Sequence, residues 1–361
     1  MDIAILLIIF NRLDTLKKVF SQIKKVKPKR LYIGADGPRA SHKDDAEKVE
    51  EVRKWIVDNI DWECEVHKLF REKNLGIEKA LPEAVSWMFE TEEMGIILED
   101  DCLPSISFFE FCRRLLNKYK NNEKVRSISG SNFPNKKMPI SKYSYEFGPL
   151  SGTWGWATWK RAWQDFDLNL KMQDWENIRK DENLGKIFDK LQANHVKNLF
   201  DYYYNNTITW DVEYIVNNLK HVIKEGAVNI GVPVNKNFIS NIGTNGTHYS
   251  EESVFQNQNL DEIDFDNFID PPEINIDRKL VNFAYLNVMY LYILDKYKIK
   301  DKEISKIFII KHKMKYYIMN LKKILSISKK SKIRHKDKLL ILQNELEIIK
   351  EYKKRSKYCY L

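Results

Sequence analysis

The chain has 361 residues, with 60 Lys and Arg against 51 Asp and Glu, a formal charge of +9 at pH 7. That charge belongs to one end: residues 301–361 hold 18 Lys and Arg and 6 Asp and Glu, net +12, leaving 42 basic and 45 acidic residues before them. A near-neutral body excludes a surface built throughout for phosphate backbones, so no nucleic-acid partner is expected, and no apolar run reaches the ~20 residues that cross a bilayer.

In chain order, the apolar run Ile3–Ile9 follows Asp2 and precedes Asn11-Arg12. With no basic leader it reads as a buried strand, not a signal peptide. Leu13–Val26 reads as a helix, with Leu16, Val19, Phe20 and Ile23 on one face. Arg30–Ala35 is a second strand that ends in the turn signal Asp36-Gly37-Pro38. A helix over 42–60, a strand over Glu65–Phe70 and a helix over Ile77–Phe89 follow. Met94–Leu98 is a fourth strand running into Glu99-Asp100-Asp101. Phe108–Tyr119 is a helix and Arg126–Ser129 a short strand. This alternation predicts an α/β fold, a mostly parallel sheet flanked by helices. Residues 130–250 are irregular and rich in aromatics, with a helical stretch near 185–204. Pro271-Pro272 marks a boundary between a body over 1–270 and a basic helical C-terminal extension over 271–361.

In such sheets ligands bind beyond the carboxyl ends of the strands. Four polar clusters fall there: Asn11-Arg12, Asp36-Gly37, Arg71 to Gly76, and Glu99-Asp100-Asp101. Three adjacent carboxylates repel one another unless a positive group joins them. Hard oxygen donors of this kind suit Mg²⁺ or Mn²⁺; the alternative is a solvated acidic loop, which placement after a buried strand disfavours. Cys64, Cys102, Cys112 and Cys359 show no CxxC spacing, so reduced thiols in a cytoplasmic protein are expected.

The ordered pieces Ile8 to Arg12, Gly34 to Arg39, Phe70 to Gly76 and Ile97 to Pro104 share a pattern with a known family, as do Gly152 to Ala157, Trp210-Asp211 and Gly243 to His248. Over residues 1–250 the chain resembles the metal-dependent nucleotide-sugar glycosyltransferases of the GT-A (Rossmann-like) fold. Within them it is most similar to bacterial polysaccharide-type members related to N-acetylglucosaminyltransferase I. The resemblance implies a nucleoside-diphosphate sugar donor, UDP-sugar favoured, and a glycan or lipid-linked glycan acceptor. It implies that Asn11, Arg12 and Asp36 hold the nucleotide, with Asp36 reading the base. Arg71, Asn74 and Gly76 lie against the nucleoside and sugar, and Glu99 and Asp100 face the ribose and donor sugar. Asp101 binds Mn²⁺ or Mg²⁺. Glu-Asp-Asp stands here in place of Asp-x-Asp, so which acid meets the metal is open.

Loss of the sugar from its diphosphate needs the developing charge neutralised, and the acceptor hydroxyl needs a base. Asp211 matches the position of the family's base, which implies an inverting reaction; read alone, it is more often a helix N-cap, and one residue could do both. Trp154, Trp156 and Trp159 form either core or a sugar platform, and Gly155 favours the platform for Trp154 and Trp156. His248 is a candidate metal or pyrophosphate ligand, though a lone His is more often neither. Lys79 reads as a solvated helix lysine. In the tail, Ile307, Ile310, Met314, Tyr317, Ile318, Leu321, Ile324 and Leu325 share one helical face beside lysines. Packing on the body reads slightly ahead of peripheral contact with the inner face of an anionic membrane, and a partner helix or nucleic acid takes what remains. A nucleotidylyltransferase is the rival enzyme; it normally has a Gly-rich phosphate loop after the first strand, and Phe10-Asn11-Arg12-Leu13 has no glycine. A non-catalytic carbohydrate or interaction protein is the rival of another class.

Overall fold

The structure is a computed structural model that describes residues 1–133, 141–167, 172–189, 192–194, 196–197, 200–201, 209–233, 235–243, 253–296 and 351. Its strands are β1 (Ala4–Ile9), β2 (Arg30–Ala35), β3 (Glu65–Phe70), β4 (Met94–Glu99), β5 (Cys102–Pro104), β6 (Val125–Ser129), β7 (Glu146–Gly148), β8 (Trp156–Trp159), β9 (Val228–Gly231) and β10 (Ile239–Asn241). The helices are α1 (Leu13–Val26), α2 (Asp45–Asp58), α3 (Ile77–Thr91), α4 (Ile106–Lys118), α5 (Lys160–Trp163), α6 (Met172–Lys180), α7 (Leu184–Ile187), α8 (Trp210–Glu225) and α9 (Arg278–Lys296).

Eight strands form one sheet in the order β3-β2-β1-β4-β8-β6-β9-β7. The four on the β3 side run parallel, as the early strand-helix alternation requires. β8 pairs antiparallel with both β4 and β6, and the sheet resumes a parallel pairing at β6 and β9. β1 and β4 are buried apolar runs because helices cover both faces of the sheet. Alternate residues of β1 point to opposite layers: Ile5, Leu7 and Ile9 meet α1, α2 and α4, whereas Ala4 and Leu6 meet α3 and α8. At the edge, β3 keeps Glu65 and Lys68 exposed, which blunts further strand pairing.

A third apolar cluster joins α6, α7 and the outer face of α8, including Trp175, Leu184, Phe188, Val216 and Leu219. Tyr285 of α9 packs against it, and Asn287 Nδ2 donates to the Phe133 carbonyl at 2.6 Å. No described helix is long and apolar enough to cross a membrane. The tail face proposed from Ile307 to Leu325 lies outside the described residues.

Candidate active site

The carboxyl ends of β1, β2 and β4 open onto a cavity of about 320 Å³. Phe10, Asn11, Arg12, Asp36, Arg39, Arg71, Asn74 and Gly76 line one side. Glu99, Asp101, Trp154, Asn241, Gly243 and Gln256 line the other. Pieces separated by more than two hundred residues therefore share one space, because parallel strands end on the same rim.

Each side chain is placed by its strand. β1 ends at Ile9 and α1 begins at Leu13, so Arg12 is held at the junction. Its guanidinium forks onto two carboxylates: Nη2 donates to Asp100, and Nη1 donates to Asp101 Oδ2 at 2.7 Å. Asp100 is only 2% exposed and also accepts from the Phe10 amide at 3.2 Å. Burial raises the Asp100 carboxyl to about 6; Arg12 opposes the rise and Asp101 adds to it. Burial also works against the Arg12 charge, but the two carboxylates prevail and raise its pKa. The positive group that a triple acid needs is thus supplied within the chain.

Glu99 lies one residue earlier, at the end of β4. Burial, then the Asp101 charge, raise its carboxyl well above the usual range against the pull of Arg12; Asp100 and Asp211 push the same way. The Asp211 contribution brings the proposed base into the electrostatic reach of this site. Asp211 is not an N-cap: Thr209 occupies that position, and Asp211 is the second residue of α8. The Trp210 amide at that helix start donates to Glu78 Oε2 at 2.5 Å, tying α8 to α3.

The far chain reaches the site through a two-stranded ribbon. β10 pairs antiparallel with β5, and the Ile242 amide donates to the Asp101 carbonyl at 2.8 Å. Gly243 then sits against the ion pair. A Cβ there would meet Asp101 Oδ2 at 2.5 Å and Arg12 Nη1 at 3.0 Å, so only glycine fits without displacement.

Asp36, expected to read a base, lines the cavity and also braces a loop. Its carboxylate accepts from the amides of Gly37, Leu75 and Gly76, each at 2.9 Å, and from Asn74 Nδ2 at 2.9 Å. It holds the 73–76 loop, so those oxygens are already occupied. Gly76 has φ +77°, a conformation that glycine adopts freely, and it opens α3. Arg71 Nη2 pairs with the half-exposed Glu83 at 3.0 Å. Lys79 is exposed, as expected.

Trp154 is half-buried at the cavity, edge-on to Phe133 at 5.7 Å. Trp156 corrects the platform reading. It is 1% exposed and packs with Trp163, Trp210 and Tyr214, because an interior strand of a covered sheet buries both of its faces. No sugar can lie on that ring. Trp159 is equally buried. His248 lies outside the described residues.

Among the described residues no three His, Cys, Asp or Glu side chains stand together as a metal cage. Asp101 lines the cavity, with Arg12 Nη1 on its Oδ2 and Cys102 Sγ on its Oδ1, whereas Asp100 is turned away from the cavity into its own hydrogen bonds. One carboxylate sharing an ion with phosphates and water is the mode of Mg²⁺-like ions. The donor set fits that mode and not an all-protein site.

Arg39 of the wall and the buried Asp45 that it pairs with have no role in the sequence reading. Arg39 lies inside the Gly34 to Arg39 piece, but nothing local marks its side chain. Arg39 Nε and Nη2 donate to Asp45 at 2.5 and 2.9 Å, and Asn11 Nδ2 donates to Asp45 at 2.8 Å.

No family model matches the chain, and no curated protein matches it. Among solved structures it is similar to the mannosyltransferase PcManGT from Pyrobaculum calidifontis in complex with GDP-Man and Mn²⁺. The identity is 10% and the TM-score 0.35, over 61% of this chain and 69% of that one. HddC from Yersinia pseudotuberculosis matches at 12% identity and TM-score 0.27, over 45% of this chain and 78% of that one. The 4-diphosphocytidyl-2C-methyl-D-erythritolsynthase from Anaerococcus prevotii matches at 13% and 0.29, over 60% and 97%.

Proposed function

We propose that the chain is an inverting glycosyltransferase that moves a sugar from a nucleoside-diphosphate donor to a glycan or lipid-linked glycan hydroxyl. One observation carries this reading. Phe10 to Arg12, Asp36 and Arg39, Arg71, Asn74 and Gly76, Glu99 and Asp101, and Gly243, from motif pieces scattered along the sequence, line one strand-end cavity that holds both arginines and carboxylates. Arginines suit a diphosphate, and the Glu99 carboxyl at the cavity suits a sugar hydroxyl. Asp101 would hold Mn²⁺ or Mg²⁺, whose chemistry is Lewis-acid neutralisation of the departing diphosphate. Trp154 offers an indole face toward the cavity for the sugar's apolar side. Asp211, in the first turn of α8, takes the acceptor proton as the hydroxyl attacks the anomeric carbon. A single base on the face opposite the leaving group gives inversion. Cytoplasmic action, with the 271–361 extension setting location and the 1–270 body carrying catalysis, completes the proposal.

The experiment is donor turnover by two variants. Asp101→Ala is expected to abolish metal-dependent donor hydrolysis or transfer, and unchanged turnover at saturating Mn²⁺ would overturn the site. Asp211→Asn is expected to keep donor affinity while transfer falls by 10² or more, of the order of a lost general base. Normal turnover would place the base elsewhere.

A further inference from the structure

Asp211, the base of the proposed reaction, is the second residue of α8, and Thr209 before that helix makes no side-chain cap hydrogen bond. The first amides of a helix have no partner within it. The Trp210 amide finds one outside: it donates to Glu78 Oε2 at 2.5 Å, across 132 positions of sequence. Glu78 is itself the second residue of α3, whose N-cap is Gly76. Gly76 and Ile77 line the cavity, and the Gly76 amide donates to Asp36 Oδ2 at 2.9 Å. Two helix N-termini therefore meet at one carboxylate, one opening at the cavity and the other carrying the base. Both favour a negative charge there.

The Trp210 ring is fixed separately. It is 5% exposed and stacks on Trp156, with the ring centres 6.3 Å apart and the planes 29° from parallel. Trp156 of β8 pairs with Ile97 of β4, two residues before Glu99. Burial of an apolar ring is non-directional and leaves a helix free to rotate slightly about it, whereas a hydrogen bond to a backbone amide is directional. Ring and amide together hold Trp210 against both the sheet and α3, and Asp211 is the next residue. The Asp211 charge is among those that raise the Glu99 carboxyl, in keeping with a position near the end of β4.

We infer that Glu78 is a positioning residue for Asp211: it registers the helix that carries the base on the helix that opens at the cavity. This deepens the proposed function and rests on Asp211 as its base. The test is hydrolysis of UDP-glucose, UDP-N-acetylglucosamine and GDP-mannose by the full chain with Mn²⁺, water standing in for the acceptor and released nucleoside diphosphate being measured. If the wild type hydrolyses none of them, or Asp211→Asn hydrolyses them as fast as the wild type, the proposed function itself fails and the inference falls with it. Glu78→Gln keeps the reach and an acceptor oxygen but loses the charge; Glu78→Asp keeps the charge but is one methylene shorter. Glu78→Gln is expected to hold kcat within about threefold. Glu78→Asp is expected to lower it about tenfold, inside the loss of about 10²-fold that a misplacement of about 1 Å can cause. Donor KM stays within about twofold in both. Thr209→Asn, which gives α8 a cap of its own, is expected to leave the Glu78→Asp loss in place when the two are combined. Equal kcat in the two Glu78 variants, the reverse order, a loss confined to KM, or recovery through Thr209→Asn would each overturn the inference.

Discussion

Arg12 is the residue on which the cavity's charge depends. Its fork neutralises Asp100 and Asp101 while Asp100 is almost wholly removed from water. Removing one partner of such a pair leaves an uncompensated buried charge. Arg12→Ala is expected to lower stability by about 3 kcal/mol, the low end for a broken buried pair, read by urea denaturation at pH 7. A variant within 0.5 kcal/mol, the ordinary range of a surface change, would show that Asp100 is not buried as described. The sequence disclosed the acids and the arginine, because all three stand at strand ends. It did not disclose their pairing, since residues 12 and 100 meet only when β1 and β4 lie side by side. Trp156 reads as a platform in the sequence because a four-residue strand does not announce which elements cover it.

At the scale of elements, α1, β2 and β3 match the sequence boundaries, since each has clear periodicity and a clear stop. Periodicity fails after residue 130, where β8 enters antiparallel between β4 and β6 and β10 pairs with β5. Such non-local pairing leaves no mark in a short strand. The start of α8 concentrates acids against α3. Burial first, then the charges of Glu78 and Asp167, raise the Glu213 carboxyl to about 7. A folded-state pKa above the unfolded value means that the native state binds more protons. The contribution is present at low pH and is lost as pH rises through about 7. Glu213→Gln is therefore expected to raise Tm relative to wild type at pH 8 and to gain less at pH 5. An equal gain at both values would mean that Glu213 is not titrating in this range.

The whole molecule divides its charge between a near-neutral body and a tail of net +12. The cavity lies entirely in the body. Deleting 301–361 is expected to leave nucleotide affinity unchanged and to abolish co-sedimentation with phosphatidylserine vesicles. If the full chain does not bind those vesicles, the membrane reading of the tail is wrong. The basic pI thus comes from the tail and not from the body that holds the cavity. The central claim, a strand-end cavity that takes a nucleoside-diphosphate sugar with a divalent ion, is met most directly by one measurement. That measurement is a thermal-shift panel of nucleoside diphosphates and their sugars, each with and without Mn²⁺. The account predicts that one base series raises Tm, that Mn²⁺ enlarges the shift, and that Asp101→Ala removes the enlargement. Flat melting curves across every nucleotide, with and without Mn²⁺, would contradict it.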